Sequence, residues 1–227
     1  MAEPMRAQQY FQLIMGDIQP LTEDQRQAMD PVFEYMQQVR GKPSFDSTAQ
    51  VYDILTGDEQ RASYSHEMMW NRIVKTTDTI ASFLPKRGCL LDLGSNTGHQ
   101  PLFWATINPE LEVHGIEISP LSCEVAERWK KKKNTENCTF HNGDFFKNQP
   151  LLAEKEFDVI TSCFSMETVH EFYSEYNSEF PQWIIDSLSD DGRVIAFLTV
   201  PNASALEQII TQWELQGLLL NSIEMVK

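Results

Sequence analysis

The sequence predicts an α/β protein: a mostly parallel central sheet covered by helices on both faces, preceded by a helical extension. Up to about residue 84, apolar residues recur at helical spacing. After Pro85 the pattern changes to short apolar runs that alternate with helical stretches. This alternation is typical of parallel strands joined by crossover helices. We assign residues 1–65 to the N-terminal extension and residues 66–227 to the main domain.

Length, composition and charge narrow the functional classes. The 227 residues suit one domain with an extension, and 41% hydrophobic with 22% charged residues is the balance of a globular protein with a core. The net charge of -15 repels polyanions, so we expect neither nucleic acid nor a membrane as partner. No run approaches the ~20 apolar residues of a membrane span, and the N-terminus lacks a signal-peptide pattern. A cytoplasmic protein is therefore expected.

Cysteine spacing predicts neither a zinc site nor a disulfide framework. The chain has four cysteines, and none of them forms a C-x-x-C pair. They are Cys89, Cys123, Cys138 and Cys163. We therefore expect no bound metal.

Capping signals divide the N-terminal extension into short helices. Thr22 and Gln25 have the spacing of a capping box, and Gly57 is suited to end a helix. The last helix before the sheet is predicted over residues 66–83, with Met69, Ile73, Ile80 and Phe83 at helical spacing.

The main domain contains six predicted strands and four predicted helices. The strands are Cys89–Leu93, Val113–Ile118, Thr139–His141, Phe157–Phe164, Arg193–Val200 and Ser222–Val226. The helices are Gln100–Ile107, Ser119–Lys133, Pro181–Leu188 and Ala203–Leu215.

The turn after the first strand is the first candidate for ligand binding. The segment CLLDLGSNTGHQ, residues 89–100, contains a buried strand, a glycine-containing turn and the start of a helix. Gly94 and Gly98 permit close backbone approach or positive φ, and Asn96 is among the few other residues that tolerate positive φ. A ligand can lie over this turn, although such turns are also glycine-rich for packing alone.

Three carboxylates fall where a nucleoside ligand needs acceptors. Glu117 ends the second strand, where an acidic residue can accept both ribose hydroxyls. Asp144 ends the third strand and can accept from an adenine amino group, with Phe145 offering an apolar face. Asp92 precedes the turn and can hold the loop or an ammonium group. The three predicted strands end at the same edge of the sheet, where open α/β folds bind ligands.

These motifs occur in a recognisable order. DLGSNTG, GIEIS, NGDFF and FDVITSCFSMETVHEF resemble the cofactor motifs of the class I S-adenosylmethionine-dependent methyltransferases over roughly residues 66 to 200. The resemblance implies a Rossmann-like three-layer sandwich with strand order 3-2-1-4-5 and a C-terminal edge strand. It also implies S-adenosyl-L-methionine as cofactor and S-adenosyl-L-homocysteine as product.

The same resemblance implies a role for each motif. The first loop holds the methionine portion of the cofactor, the second-strand acid holds the ribose, and the third-strand Asp with its neighbour holds the adenine. The implied contacts are Asp92, Gly94, Ser95, Asn96, Gly98, Glu117, Ile118, Asp144 and Phe145, with Ser162 in the loop region after the fourth strand. A dinucleotide is the rival ligand, but G-S-N-T-G lacks the second glycine of G-x-G-x-x-G that a pyrophosphate requires.

The loop after the fourth predicted strand supplies candidate catalytic residues. In the resembled family this region lines the cofactor and acceptor pocket, and here it contains Glu167 and His170. The hypothesis is that His170, or Glu167, orients or deprotonates a hydroxyl, amine or thiol acceptor. The alternative is that both are ordinary polar residues at the start of a surface helix.

The acceptor is the least determined part of the prediction. A small molecule is expected from the acidic charge, with a protein side chain as the alternative. The basic run Arg128–Lys133 is interpreted as a solvated helix face.

The N-terminal extension offers apolar side chains that can either pack in the core or contact the acceptor, because extensions of this family often act as lids. These residues are Tyr52, Tyr64, Met68, Met69 and Trp70, and we favour the core. A non-catalytic subunit that binds a partner chain at the C-terminal sheet edge is the remaining alternative.

Overall fold

A parallel sheet organises the chain in the computed structural model, which describes residues 5–32, 34, 45–144, 155–165, 179–198 and 211. Within these residues the sheet has five strands in the order β3-β2-β1-β4-β5, and all four of their pairings are parallel. The strands are β1 (Arg87–Leu93), β2 (Glu110–Glu117), β3 (Cys138–Asn142), β4 (Phe157–Cys163) and β5 (Leu188–Phe197). The predicted fold class and strand order are confirmed.

Helices precede the sheet and connect its strands. Before β1 lie α1 (Ala7–Met15), α2 (Glu23–Gln27), α3 (Phe45–Thr56), α4 (Glu59–Met68) and α5 (Trp70–Ala81). Between the strands lie α6 (His99–Ile107), α7 (Pro120–Lys133) and α8 (Glu179–Ser187). The predicted capping box is present, with Thr22 Oγ1 accepting from the Gln25 N–H, and α3 ends just before Gly57.

Alternation along the strands divides the core between the two faces of the sheet. Leu90 and Val113 belong to a cluster that includes Leu102 of α6 and Trp129 of α7. Leu91, Leu93 and Ile116 point to the other face, in a cluster with Ile184 of α8. Because successive strand residues point to opposite faces, β1, β2, β4 and β5 each contribute to both clusters, and the sheet is buried on both sides.

Helix α1 is built into the main core. Its buried residues Ala7, Tyr10, Phe11 and Ile14 recur at helical spacing and pack in the same cluster as α6 and α7. Lys132 Nζ donates to the Ile14 carbonyl at 3.1 Å, and Lys133 Nζ donates to the Leu13 carbonyl at 2.7 Å. The interpretation of this basic run as only a solvated face is therefore incomplete, since two of its lysines bind the C-terminal carbonyls of α1.

One helix predicted before the sheet is two helices in the structure. Met69, with φ -110° and ψ 14°, is both the last cap of α4 and the first cap of α5. Met68 and Met69, at this junction of α4 and α5, are 58% and 48% exposed, so the expectation that they lie in the core was wrong. Phe83, beyond the end of α5, is also exposed, whereas Ile73 and Ile80 are buried as predicted.

Two predicted elements lie outside the described residues. They are the strand Ser222–Val226 and, apart from residue 211, which is helical, the helix Ala203–Leu215. Among the residues that the structure describes, no helix combines the length and apolar character needed to cross a membrane.

Candidate cofactor site at the carboxyl edge of the sheet

The turn between β1 and α6 has the backbone geometry that its sequence predicts. Gly94, Asn96 and Gly98 have φ of 72°, 51° and 73°, in the left-handed region that glycine and asparagine tolerate. The Ile116 carbonyl accepts the N–H groups of Gly94 and Ser95 at 2.9 and 3.0 Å, which joins the turn to β2. The turn is therefore a fixed platform between two strand ends.

The two glycines of this turn are also required by packing within the protein. A Cβ on Gly98 would lie 2.3 Å from the Phe140 ring, and one on Gly94 would lie 2.6 Å from the Cβ of Ser165. Glycine is therefore required at these two positions both for the positive φ and because a side chain would clash with a neighbouring residue.

The Glu117 side chain is held against the turn by backbone amides. Its Oε2 accepts the Asn96 N–H at 2.8 Å, and its Oε1 accepts the Ser119 N–H at 2.9 Å. The residue is 4% exposed, and this burial raises its pKa to about 7, although the hydrogen bonds from Ser119, Asn96 and Ile118 act in the opposite direction. Glu117 therefore fixes the turn and places a carboxylate at the end of β2.

Asp92 is a second buried carboxylate at this edge. Its Oδ1 accepts the Thr161 hydroxyl at 2.7 Å across the β1–β4 pair. Burial and the neighbouring Glu117 charge raise the pKa of Asp92 to about 7, although the hydrogen bond from Thr161 acts in the opposite direction. Removing the negative charge of one carboxylate, or bringing a positive charge to the pair, stabilises this arrangement.

Asp144 reaches the same edge because Asn142 and Gly143 join the end of β3 to β2. Asn142 Nδ2 donates to the carbonyls of Glu117 and Ile118 at 2.9 and 3.1 Å, and Gly143 N–H donates to the Glu117 carbonyl at 2.8 Å. Asp144 itself is 7% exposed. No local sequence motif singles out Asn142, because its role depends on strand pairing.

Helices α4 and α5, which precede the sheet, contact the turn and the start of α6. His66 of α4 places its Nε2 2.8 Å from Thr97 Oγ1, and the rings of His66 and His99 lie 4.0 Å apart. Gln100 Nε2 donates to Thr77 Oγ1 of α5 at 2.8 Å. No local sequence motif identifies these residues, because the two hydrogen bonds join residues 31 and 23 positions apart.

Helix α3 closes the adjacent side of the site. The Ser119 hydroxyl donates to Asp53 Oδ1 at 2.5 Å, and Thr56 Oγ1 lies 2.6 Å from Ser122 Oγ. These contacts place α3 at the start of α7, directly beside Glu117. The N-terminal extension is thus in contact with the predicted ribose side of the site.

The structure places most of the predicted cofactor residues at one edge of the sheet. These are Asp92, Gly94, Ser95, Asn96, Gly98, Glu117, Ile118, Asp144 and Ser162. Ser162 is fully buried, and its Oγ lies 2.7 Å from Ser165 Oγ. Phe145, Glu167 and His170 lie outside the described residues.

A model described as a methyltransferase domain matches residues 86–217, more than half of the chain. The chain belongs to the methyltransferase-domain family. The predicted membership of the class I S-adenosylmethionine-dependent methyltransferases is confirmed, and with it S-adenosyl-L-methionine as the cofactor and S-adenosyl-L-homocysteine as its product.

Solved structures share the fold of this methyltransferase at low sequence identity. The TehB-like S-adenosylmethionine-dependent methyltransferase of Corynebacterium glutamicum is 16% identical with a TM-score of 0.53, over 67% of this chain and 81% of that chain. The precorrin-6y C5,15-methyltransferase of Geobacter metallireducens is 14% identical with a TM-score of 0.51, over 63% and 72%. No curated protein matches the chain.

Proposed function

We propose that this methyltransferase transfers a methyl group from S-adenosyl-L-methionine to an O, N or S atom of a small-molecule acceptor. The observation that carries the proposal is the Glu117 carboxylate, which is fixed by the N–H groups of Asn96 and Ser119 at the end of β2. A carboxylate offers about four acceptor positions, so Glu117 can hold the turn and still accept ribose hydroxyls.

The charge of the site fits this cofactor. Asp92, Glu117 and Asp144 are carboxylic residues that converge on one edge, and all three are buried. S-adenosylmethionine carries a sulfonium, an ammonium group, ribose hydroxyls and an adenine amino group, all of which are cationic or can donate hydrogen bonds. A pyrophosphate ligand would instead bring negative charge to these carboxylates, which is unfavourable at short range.

Each motif has a proposed contact. Asp92 and the turn residues Gly94, Ser95, Asn96 and Gly98 face the methionine portion, Glu117 and Ile118 the ribose, and Asp144 with Phe145 the adenine. Ser162 lies at the end of β4, beside the turn. The N-terminal extension acts as a lid, as its contact between Asp53 and Ser119 beside Glu117 suggests.

The chemistry requires mainly alignment. The cofactor supplies a methyl group on a sulfonium that is open to in-line displacement, and the protein contributes proximity and orientation. A base is needed only for an acceptor that carries a proton at neutral pH. His170, or Glu167, is proposed to take or orient that proton. If His170→Ala and Glu167→Gln both leave turnover unchanged, this role is excluded.

The acceptor class can be tested with the labelled methyl group. The net charge of -15 disfavours polyanionic acceptors. We expect tritium from labelled S-adenosylmethionine to appear in the small-molecule fraction of a cell extract when the enzyme is added. Label in the protein fraction indicates methylation of a protein side chain. Cofactor binding without transfer to either fraction favours the non-catalytic subunit, whose proposed partner contacts the C-terminal sheet edge.

The first experiment measures cofactor binding. Calorimetric titration with S-adenosyl-L-homocysteine is expected to show micromolar binding that Glu117→Ala abolishes. Glu110→Ala is the matched control, because Glu110 is an exposed carboxylate at the opposite end of the same strand. NADH is titrated in parallel. Equal binding to wild type and Glu117→Ala, or preference for NADH, overturns the proposed site.

A further inference from the structure

A cluster of metal-binding side chains lies on the sheet, away from the cofactor edge. Cys89 of β1 pairs in register with Glu112 of β2, and His114 follows Glu112 by two residues on the same face. One ligand atom from each of the three residues lies within 4.8 Å of the others. The register of the sheet brings these side chains together, so the backbone fixes their mutual placement.

We propose that Cys89 Sγ, the Glu112 carboxylate and His114 Nε2 bind one divalent transition-metal ion of the zinc type. Tetrahedral zinc has bonds of about 2.0 to 2.3 Å to nitrogen, oxygen and sulfur, so its ligand atoms lie roughly 3 to 4 Å apart. His114 Nε2 and Glu112 Oε1 already lie 2.9 Å apart, and small side-chain rotations close the remaining gaps. Glu112 is exposed and Cys89 is half-buried, which leaves the fourth position for water.

The second nitrogen of His114 has the partner that a metal-binding histidine needs. Its Nδ1 lies 3.0 Å from His141 Nε2 on β3, and the two rings stack with centroids 5.3 Å apart. Without a metal, Nε2–H donates to Glu112 Oε1; a metal bound at Nε2 takes the place of this proton, and the ring proton then lies on Nδ1 and is donated to His141 Nε2. Outer hydrogen bonds of this kind fix the tautomer and orientation of metal-binding histidines.

A lysine ammonium already pairs with the carboxylate of this cluster. Lys155 Nζ lies 2.6 Å from Glu112 Oε1, the same oxygen that contacts His114 Nε2. Glu112 therefore already accepts one positive charge. A bound metal displaces Lys155, whose exposed side chain can move into solvent.

The types of ligand atom select the class of metal ion. The position of the ligands on the sheet separates this metal site from the cofactor edge. Thiolate and imidazole suit zinc, cobalt or nickel, whereas magnesium and calcium prefer oxygen ligands. Cys89 packs with the cluster on the α8 face of the sheet, opposite the face that packs against α6 and α7. Cysteine spacing alone predicted no metal. The ligands proposed here come from two strands and form no local motif, so the spacing of cysteines could not indicate them.

Cobalt titration of the full chain tests the site. Tag-free protein is treated with a chelator, and Co²⁺ is added while the thiolate-to-cobalt charge-transfer absorption is recorded. We expect saturation at one ion per chain, reversal by Zn²⁺, and loss of the band in Cys89→Ser. Cys123→Ser, which removes a thiol on α7, is expected to keep the band.

Two further variants separate a metal site from a hydrogen-bonded cluster. His141→Phe, which keeps a stacked ring but removes the acceptor, is expected to weaken Co²⁺ binding roughly 10- to 100-fold, as loss of an outer hydrogen bond does at metal sites. Lys155→Met is expected to strengthen it by about tenfold, because it removes a unit charge that competes for Glu112. Circular dichroism verifies that each variant is folded. Absence of saturable Co²⁺ binding by the wild type, or an unchanged band in Cys89→Ser, overturns the proposal.

Discussion

Ser119 joins the N-terminal extension to the cofactor edge through Asp53: its hydroxyl donates to Asp53 Oδ1 at 2.5 Å, while its backbone N–H donates to Glu117 Oε1 at 2.9 Å. One residue thus contacts both α3 and the carboxylate proposed to hold the ribose. The position of α3 and the orientation of Glu117 are therefore structurally linked.

Asp53→Ala is expected to weaken both folding and cofactor binding. Loss of the acceptor for the buried Ser119 hydroxyl lowers the free energy of unfolding by about 1 to 3 kcal/mol. Without this hydrogen bond the start of α7 is less fixed, so we expect several-fold weaker binding of S-adenosyl-L-homocysteine. Denaturant unfolding and calorimetry measure the two effects. Glu67→Ala, at an exposed position of α4, is the control, and equal effects of the two substitutions would contradict the link.

Asp92→Asn is expected to stabilise the protein increasingly as pH rises from 5 to 7. The pKa of Asp92 is raised to about 7 in the fold, from 3.8 when unfolded, so the folded state binds the extra proton. This group therefore removes stability as pH rises through that window, by up to about 1.4 kcal/mol per pH unit. Unfolding free energies of wild type and variant at several pH values measure the difference. A constant difference between pH 5 and pH 7 would disprove the raised pKa.

His66→Gln is expected to reduce the loss of stability that the protein undergoes as pH falls from 7 to 5. Burial lowers the pKa of His66 to about 4, from 6.5 when unfolded, so the unfolded state binds the extra proton. Stability from the neutral ring is complete above pH 6.5 and is lost as pH falls towards 4. Glutamine can keep a hydrogen bond to Thr97 without titrating. We therefore expect the variant to lose less stability than the wild type between pH 7 and pH 5, as measured by urea unfolding; parallel losses would contradict this.

Lys133→Met is expected to loosen α1. The substitution removes the hydrogen bond from Lys133 Nζ to the Leu13 carbonyl and a positive charge near the C-terminus of that helix. We expect a loss of about 0.5 to 1.5 kcal/mol in unfolding free energy and faster hydrogen exchange in α1. Lys131→Met, at an exposed position on the same helix, is the control. Unchanged exchange in α1 would show that the Lys133 hydrogen bond does not hold the helix, which then depends on the packing of Phe11 and Ile14 and on the Lys132 hydrogen bond.

The sequence by itself determined the parallel α/β architecture and the family. Short apolar runs and intervening helical stretches predicted β1 to β5 within a few residues, because hydrophobic periodicity is a local property. The positive φ of Asn96 followed from the tolerance of asparagine for that conformation. The positions of Asp92, Glu117 and Asp144 at predicted strand ends indicated a nucleoside ligand, and the resemblance of the four motifs to the class I methyltransferases implied the cofactor.

Only the tertiary structure decided which residues support that site and how the extension packs. The contacts of His66 with Thr97, Gln100 with Thr77 and Asp53 with Ser119 join residues far apart in sequence. The register of β1 with β2 likewise brings Cys89 to Glu112. Periodicity carries information about which face of an element is buried, whereas the partner that covers it is set by the packing of the whole chain. The junction of α4 and α5 at Met69, where two methionines expected in the core are exposed, has the same origin.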